Sequence, residues 1–539
     1  LFCTDTTGFR QYSLFVKDLV NGQVQGPLAE RVTGFEWSAL NDTIFFVTED
    51  AVTKRSDTLW RLKLGEAPVT VFYEEDALYA LGLGLTKDRR YLVLSSASTD
   101  TWESRLLDSH EAEKEFKVVL PREKGHKYEV EHHEGRLLIR TNREAKNFRL
   151  VSAPRNDPRP QNWVPFIEHR NDTLVSGINV FKDHLVVSET VEGLVHLRIF
   201  TFADKSWREI RFPEPVYTAY ADGNPEYATT VFRYGYQSLV TPSSIYDVDM
   251  GSGQSTLLKS QEVLGGYNPD QYGSERLWAT ARDGVRVPIS IVYRKGLKRD
   301  GTSPLWLTAY GSYGSGSSAS FNSGRLSLLD RGVVYAIAHI RGGNEMGEAW
   351  HDDGMLMKKK NTFYDFIDCA EYLIKEKWTS SKGLMIQGGS AGGLLMGAVV
   401  NYRPDLFKAV HSAVPFVDVM NTMMDPSLPL TVGEYLEWGN PNEKEAFDYM
   451  RSYSPYDNLV KGAYPAMLVT TSYNDSQVMY WEPAKYVAKL RTLKTDKSPL
   501  LLKTNMDPAG HGGASGRYDA LKERAFQMAW MLSQVGIQE

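Results

Sequence analysis

Hydrophobic residues recur along this chain with two different periods, and the change falls near residue 272. Before it, short stretches alternate apolar with polar side chains and are broken by Asp, Asn, Gly and Lys, as in "YSLFVKDLVNGQ", "DTLWRLKLGEAP" and "SSIYDVDMGSGQ". Alternation is the period of a half-buried strand, because successive strand side chains point to opposite faces. Comparable stretches begin near Tyr12, Asp57, Trp102, Asn147, His196 and Ser244. That repeat of about 45–48 residues is the scale of one four-stranded propeller blade. About six blades are expected on this spacing, whereas a plain β-sandwich has no reason to repeat so evenly.

From "YGSERLWATARDGVRVPISIVYRK" (272–295) onward, apolar runs alternate with amphipathic stretches, the pattern of an α/β sheet. Runs at 305–311, 333–340, 383–388, 409–415, 466–472 and 500–505 read as strands, and 363–378, 391–402, 482–493 and 518–532 as helices. In the first helix Phe363, Phe366, Ile367, Ala370, Leu373 and Ile374 share one face, as packing on a sheet requires. A chain of 539 residues exceeds what one core holds. The expected organisation is a β-propeller over 1–271 and an α/β domain over 272–539.

The segment "IQGGSAGG" (386–393) follows one of these strands and opens one of these helices, as a G-x-S-x-G nucleophile elbow does. Gly388 and Gly392 frame Ser390 and let strand and helix approach closely, while the amide of Ala391 points where a tetrahedral oxyanion would form. A phosphate loop would need a G-K-[ST] after the glycines, and none follows. A serine nucleophile needs a base, and the base needs a carboxylate that fixes its tautomer. Asp475 in "TTSYNDSQV" and His511 in "NMDPAGHGGASG" lie just past successive strands, in the chain order Ser, Asp, His of α/β-hydrolases.

Composition limits the partners. With 42% hydrophobic and 24% charged residues, no apolar run long enough to span a bilayer and a net charge of -6, neither a membrane nor nucleic acid is expected. Cys3 and Cys369 are far apart, so no disulfide framework is expected and a reducing, cytoplasmic compartment is. The chain starts "LFCTDTTGFR", with no visible secretory leader. No zinc spacing occurs, and the adjacent His132 and His133 point to opposite faces of a strand. No metal or cofactor is expected.

The stretches "LLDRGVVYAIAHIRGGNEMGEAWHDDG", "GGSAGGLLMGAVVNYRPDLF", "VPFVDVMNTMMDPSLPLTVGE", "EWGNP", "SYSPYDN" and "GHGGASGRY" resemble the oligopeptidase B group of the prolyl oligopeptidase family of serine peptidases. The likeness runs through nearly all of 272–535 and more loosely through the first half. It implies a seven-bladed propeller capping an α/β-hydrolase that cleaves short peptides by acyl transfer, acting as a monomer or dimer. It places the triad on Ser390, Asp475 and His511, and the oxyanion hydroxyl on Tyr310 in "TAYGSYG". It also places substrate contacts on Glu434, Leu436 and Arg517.

Three departures from the family pattern bear on activity. Members carry a further N-terminal segment, supplying the first blade and a helical extension, which is absent ahead of "LFCTDTTGFR". The pocket stretch G-E-x-E-E-W-G here reads "GEYLEWG", so Glu434 keeps the first carboxylate, Leu436 replaces the second, and Glu437 is expected to point elsewhere. Ser318 and Ser320 stand where some members place acidic residues for a second basic side chain. The loop "MDPAGHGG" is one residue longer than usual, and "SYND" replaces G-L-x-D before the acid. Cleavage after Arg or Lys is the leading expectation, with a weakened basic preference. The alternatives are an acylaminoacyl-peptidase or esterase on the same fold, or an impaired homologue that binds peptides.

Overall fold

The computed structural model describes residues 1–514 and 516–538. Its strands form seven sheets, of which six are small antiparallel meanders that succeed one another from Phe2 to Ser260. The five sheets from Val32 onward have four strands each, and the one before them has three. The repeat visible in the sequence marks the third strand of each four-stranded sheet: Ser56–Lys63, Trp102–Asp108, Arg149–Pro154, Leu194–Thr201 and Ser244–Asp249. The third strand Ser56–Lys63 is wetter on one face and alternates, whereas the second strands Thr43–Glu49 and Arg136–Thr141 are buried at nearly every residue. In the first sheet Ser13–Lys17 holds the central place between Phe2–Thr4 and Val24–Ala29. Its three strands thus correspond to strands two to four of the others.

No single sheet buries its own faces. Phe45, Val47 and Leu59 of one sheet pack on Leu81, Leu92, Leu94 and Leu107 of the next, and comparable apolar layers join the later pairs.

The remaining sheet has eight strands: β1 Tyr272–Thr280, β2 Arg286–Arg294, β3 Leu305–Thr308, β4 Val334–Ala338, β5 Leu384–Gly389, β6 Ala409–Ala413, β7 Ala466–Ser472 and β8 Leu500–Asn505. Their order is β1-β2-β4-β3-β5-β6-β7-β8, antiparallel at β1/β2 and β2/β4 and parallel elsewhere. The helices that matter for the site are α1 Lys360–Lys375, α2 Ala391–Tyr402, α3 Tyr435–Trp438, α4 Trp481–Leu493 and α5 Arg517–Gln534. The fully buried Leu305, Leu307, Val334, Ile386, Phe363, Phe366 and Leu394 weld β3, β4 and β5 to α1 and α2. This rigid block ends at the carboxyl edge of the parallel strands, where ligands of α/β sheets gather.

The two halves are joined by more than the chain. Val216 and Leu239 share an apolar cluster with Tyr272, Val292, Ala319, Leu329 and Ile337. The side-chain oxygen of Asn147 accepts from the Glu348 amide at 3.0 Å, and Lys127 pairs with Glu348 at 3.3 Å. Among the described residues no helix is long and apolar enough to cross a membrane.

Candidate active site

Ser390 stands alone between the end of β5 and the start of α2, at φ 59° and ψ −120°. That is left-handed backbone in which a non-glycine residue is strained, and the surroundings must enforce it. Ser390 donates its amide to the Ala413 carbonyl at 2.9 Å, and its own carbonyl accepts from the Phe416 amide at 3.1 Å. The glycines are steric necessities: a Cβ on Gly388 would lie 2.2 Å from the Gly392 carbonyl oxygen, and one on Gly393 would lie 2.4 Å from Pro415 Cβ. Gly388→Ala is expected to cost about 1–3 kcal/mol of stability by overpacking. Thermal unfolding checks it, and an unchanged Tm would mean the elbow has slack.

Asp475 follows β7 and is 1% exposed. Its Oδ1 accepts the amides of Gln477 at 2.9 Å and Val478 at 3.0 Å, and its Oδ2 lies 2.7 Å from His511 Nδ1. A carboxylate bonded this way assigns the proton to Nδ1 and leaves the Nε2 lone pair free. His511 sits past β8 between Gly510 (φ 60°) and Gly513 (φ 77°). The loop is braced from the propeller half: a Cβ on Gly8 would lie 2.6 Å from the Pro508 carbonyl, and one on Gly510 would lie 2.3 Å from the Gly8 oxygen.

Ser390, Ala391, His511 and Tyr310 all line one cavity of about 440 Å³, with Tyr313, Phe416, Thr422, Leu430, Glu434 and Val478. Burial raises the Tyr310 pKa, with the nearby Ser390 side chain opposing the rise, which keeps the phenol protonated and able to donate. Ala391 opens α2, where the first amides have no intrahelical acceptor. A phenol hydroxyl and a free helix-start amide are donors of the kind an oxyanion site requires.

Glu434 is the carboxylate of this cavity. Its Oε2 accepts from Trp438 Nε1 at 2.6 Å and from the Tyr313 hydroxyl at 3.0 Å. Burial pushes its pKa up to about 7 despite those bonds, and nearby Glu437 adds to the rise. Tyr313 packs edge-on to Trp438, with ring centroids 5.5 Å apart. Neither Tyr313 nor Trp438 was singled out by the sequence, where both read as ordinary aromatics. A second cleft of about 480 Å³ runs on from the cavity through Leu430 and Glu434 and is lined by propeller residues including Lys54, Tyr73 and Tyr79.

Leu436 and Arg517, expected as substrate contacts, are not brought to the cavity, nor are Ser318 and Ser320. Leu436 does not line it, because Glu434 and Trp438 share a face at i, i+4 around α3 while position i+2 points away. Arg517 is exposed at the first position of α5, past the turn that carries His511. Ser318 is exposed, Ser320 is part-buried with its carbonyl accepting from Arg325, and neither lines the cavity. Glu437 is fully buried, with Oε1 on the Tyr313 amide at 2.8 Å and Oε2 2.8 Å from His351 Nε2.

Comparison with known proteins adds to this geometry. Residues 1–261 match the model of the prolyl oligopeptidase N-terminal beta-propeller domain, and residues 319–538 match that of the prolyl oligopeptidase family. The chain belongs to the prolyl oligopeptidase family of serine peptidases. It is similar to the dipeptidyl aminopeptidase BI of Pseudoxanthomonas mexicana, 44% identical over 99% of this chain and 74% of the relative. Oligopeptidase B from Leishmania major superposes with a TM-score of 0.95 at 38% identity, over 99% of this chain and 76% of that one. The closed form of Trypanosoma brucei oligopeptidase B with covalently bound antipain also gives 0.95, at 39% identity over 100% and 77%. This prolyl oligopeptidase-family chain thus spans about three-quarters of the length of each. The propeller and α/β domain expected from the period change, with the hydrolase fold expected from the elbow, are the fold of this family.

Proposed function

We propose that this peptidase hydrolyses short peptides after Arg or Lys through a Ser390–His511–Asp475 triad. The reading is carried by one observation: Ser390, His511 and Tyr310 open onto the cavity that also holds Glu434. His511 Nε2 takes the Ser390 proton as Oγ attacks the scissile carbonyl, and Asp475 holds the imidazolium that forms. The Ala391 amide and the Tyr310 hydroxyl receive the oxyanion. His511 then protonates the leaving amine, and water repeats the sequence on the acyl-enzyme. The cleft between the halves admits extended peptides and excludes folded ones.

The test is a panel of fluorogenic peptides with Arg, Lys, Pro, Phe or Leu before the bond, each blocked and unblocked, alongside fluorophosphonate labelling mapped to Ser390. Ser390→Ala serves as the blank. Folded protein that does not label at Ser390 would sink the hydrolase reading. A preference for unblocked dipeptidyl substrates would favour the second reading, release of N-terminal dipeptides, which the name of the 44% identical relative suggests.

The Glu434 carboxyl, raised to about 7, sets a pH dependence of selectivity. Below that value it is mostly neutral and attracts a cation weakly; above it the charge is present. The ratio of kcat/KM for an Arg substrate to that for its Leu counterpart is expected to rise from pH 6 to pH 8, a comparison in which every group acting equally on both substrates cancels. A flat ratio would remove Glu434 from recognition.

A further inference from the structure

We propose that Lys359 and Glu437 are positioning residues for the turn Tyr310–Gly314, and that through it they align the oxyanion hydroxyl with Ser390. The inference rests on the reading of Tyr310 given above. Neither residue touches the cavity.

The turn is costly to hold. Gly311, Tyr313 and Gly314 all lie in the left-handed region, at φ 73°, 60° and 61°. Tyr313 has no glycine's freedom there, so bonds from outside must fix it. At the Tyr310 end, the Lys359 ammonium donates to the Gly311 carbonyl at 2.6 Å and to Ser312 Oγ at 2.8 Å. At the other end, Glu437 Oε1 accepts the Tyr313 amide at 2.8 Å, and its second oxygen is held by His351. The Gly314 amide completes the frame by donating to the Gly342 carbonyl at 3.0 Å.

Both charged groups are almost wholly buried, Lys359 at 1% exposure and Glu437 at 0%. A buried ammonium and a buried carboxylate near each other would ordinarily pair directly. Here each bonds instead to the main chain of the turn, and Lys359 lies 5.0 Å from the face of Trp438. Burial drives the Lys359 pKa down to about 8, with Glu437 opposing the fall, so the ammonium persists at neutral pH. The turn they fasten carries Tyr310, which lines the cavity with Ser390, and Tyr313, bonded to Glu434. Recognition and oxyanion binding therefore share one short rigid segment.

A double-mutant cycle on the full chain tests this. Lys359→Met is expected to lower kcat for the Arg substrate by about 100-fold, as a misplacement near 1 Å does. KM should move less than about threefold, since the cavity wall is retained. In a Tyr310→Phe background the same substitution should lower kcat less than about threefold further, because the donor it positions is gone. Equal losses in both backgrounds, or a loss confined to KM, would overturn the positioning role. If Lys359→Met shows no cooperative unfolding transition, Glu437→Gln enters the same cycle with the same two outcomes. A Tyr310→Phe protein as fast as the parent would instead overturn the oxyanion reading on which the inference rests.

Discussion

Asp475→Asn will leave a folded protein whose kcat is lower by about 10⁴-fold. The reason is legible in the two oxygens of the side chain. Oδ1 receives two main-chain amides, from Gln477 and Val478, and only a carbonyl oxygen can replace it there. The amide nitrogen of an asparagine must then face His511 Nδ1, where it donates. The imidazole answers with the other tautomer, carrying its proton on Nε2, and can no longer take one from Ser390. Labelling of Ser390 by a fluorophosphonate should slow in parallel with peptide turnover, while the Tm stays near that of the parent. A loss smaller than tenfold would mean that Asp475 does not set the tautomer.

Glu434→Gln carries the second large effect, on selectivity instead of rate. The carboxylate is held by Tyr313 and Trp438 through Oε2 alone, so Oε1 is the oxygen left for a substrate cation. Removing one partner of a desolvated charge pair costs about 2–5 kcal/mol, a factor of roughly 30 to several thousand. That factor is expected in kcat/KM for Arg and Lys substrates, with Leu and Phe substrates unchanged or faster. Since the glutamine keeps the bonds to Tyr313 and Trp438, the fold of the pocket should survive. Equal loss on basic and apolar substrates would show that Glu434 shapes the pocket without reading the charge.

Much of this was written into local sequence, and the exceptions share a cause. Helix α2 is bounded by the residues read from it, because a glycine-flanked serine and an unbroken apolar run fix both ends locally. The propeller repeat was legible through its third strands, one of which, Ser56–Lys63, alternates on a half-wet face while the preceding strand Thr43–Glu49 is buried almost throughout. Strand β3 stops at Thr308, short of the apolar run that suggested it, and frees Tyr310 for the turn. Helix α3 is too short to show a period, which is why Leu436 was assigned to the pocket by motif position and lies off it. Tyr313, Lys359 and Glu437 come together from three separate segments. Nothing local in any of the three marks it as more than an ordinary aromatic or charge.

The contact of Gly8 with the loop before His511 makes the order of synthesis matter. A ribosome delivers Gly8 long before His511, and the nucleophile elbow is complete while its base is still to come. The loop that carries His511 takes its place by closing against Gly8, a residue of the other half of the molecule. A half-finished chain thus holds a serine without an anchored base, and so does one whose halves have come apart. Anchoring of that base thus couples the hydrolase half of the molecule to its contact with the propeller half.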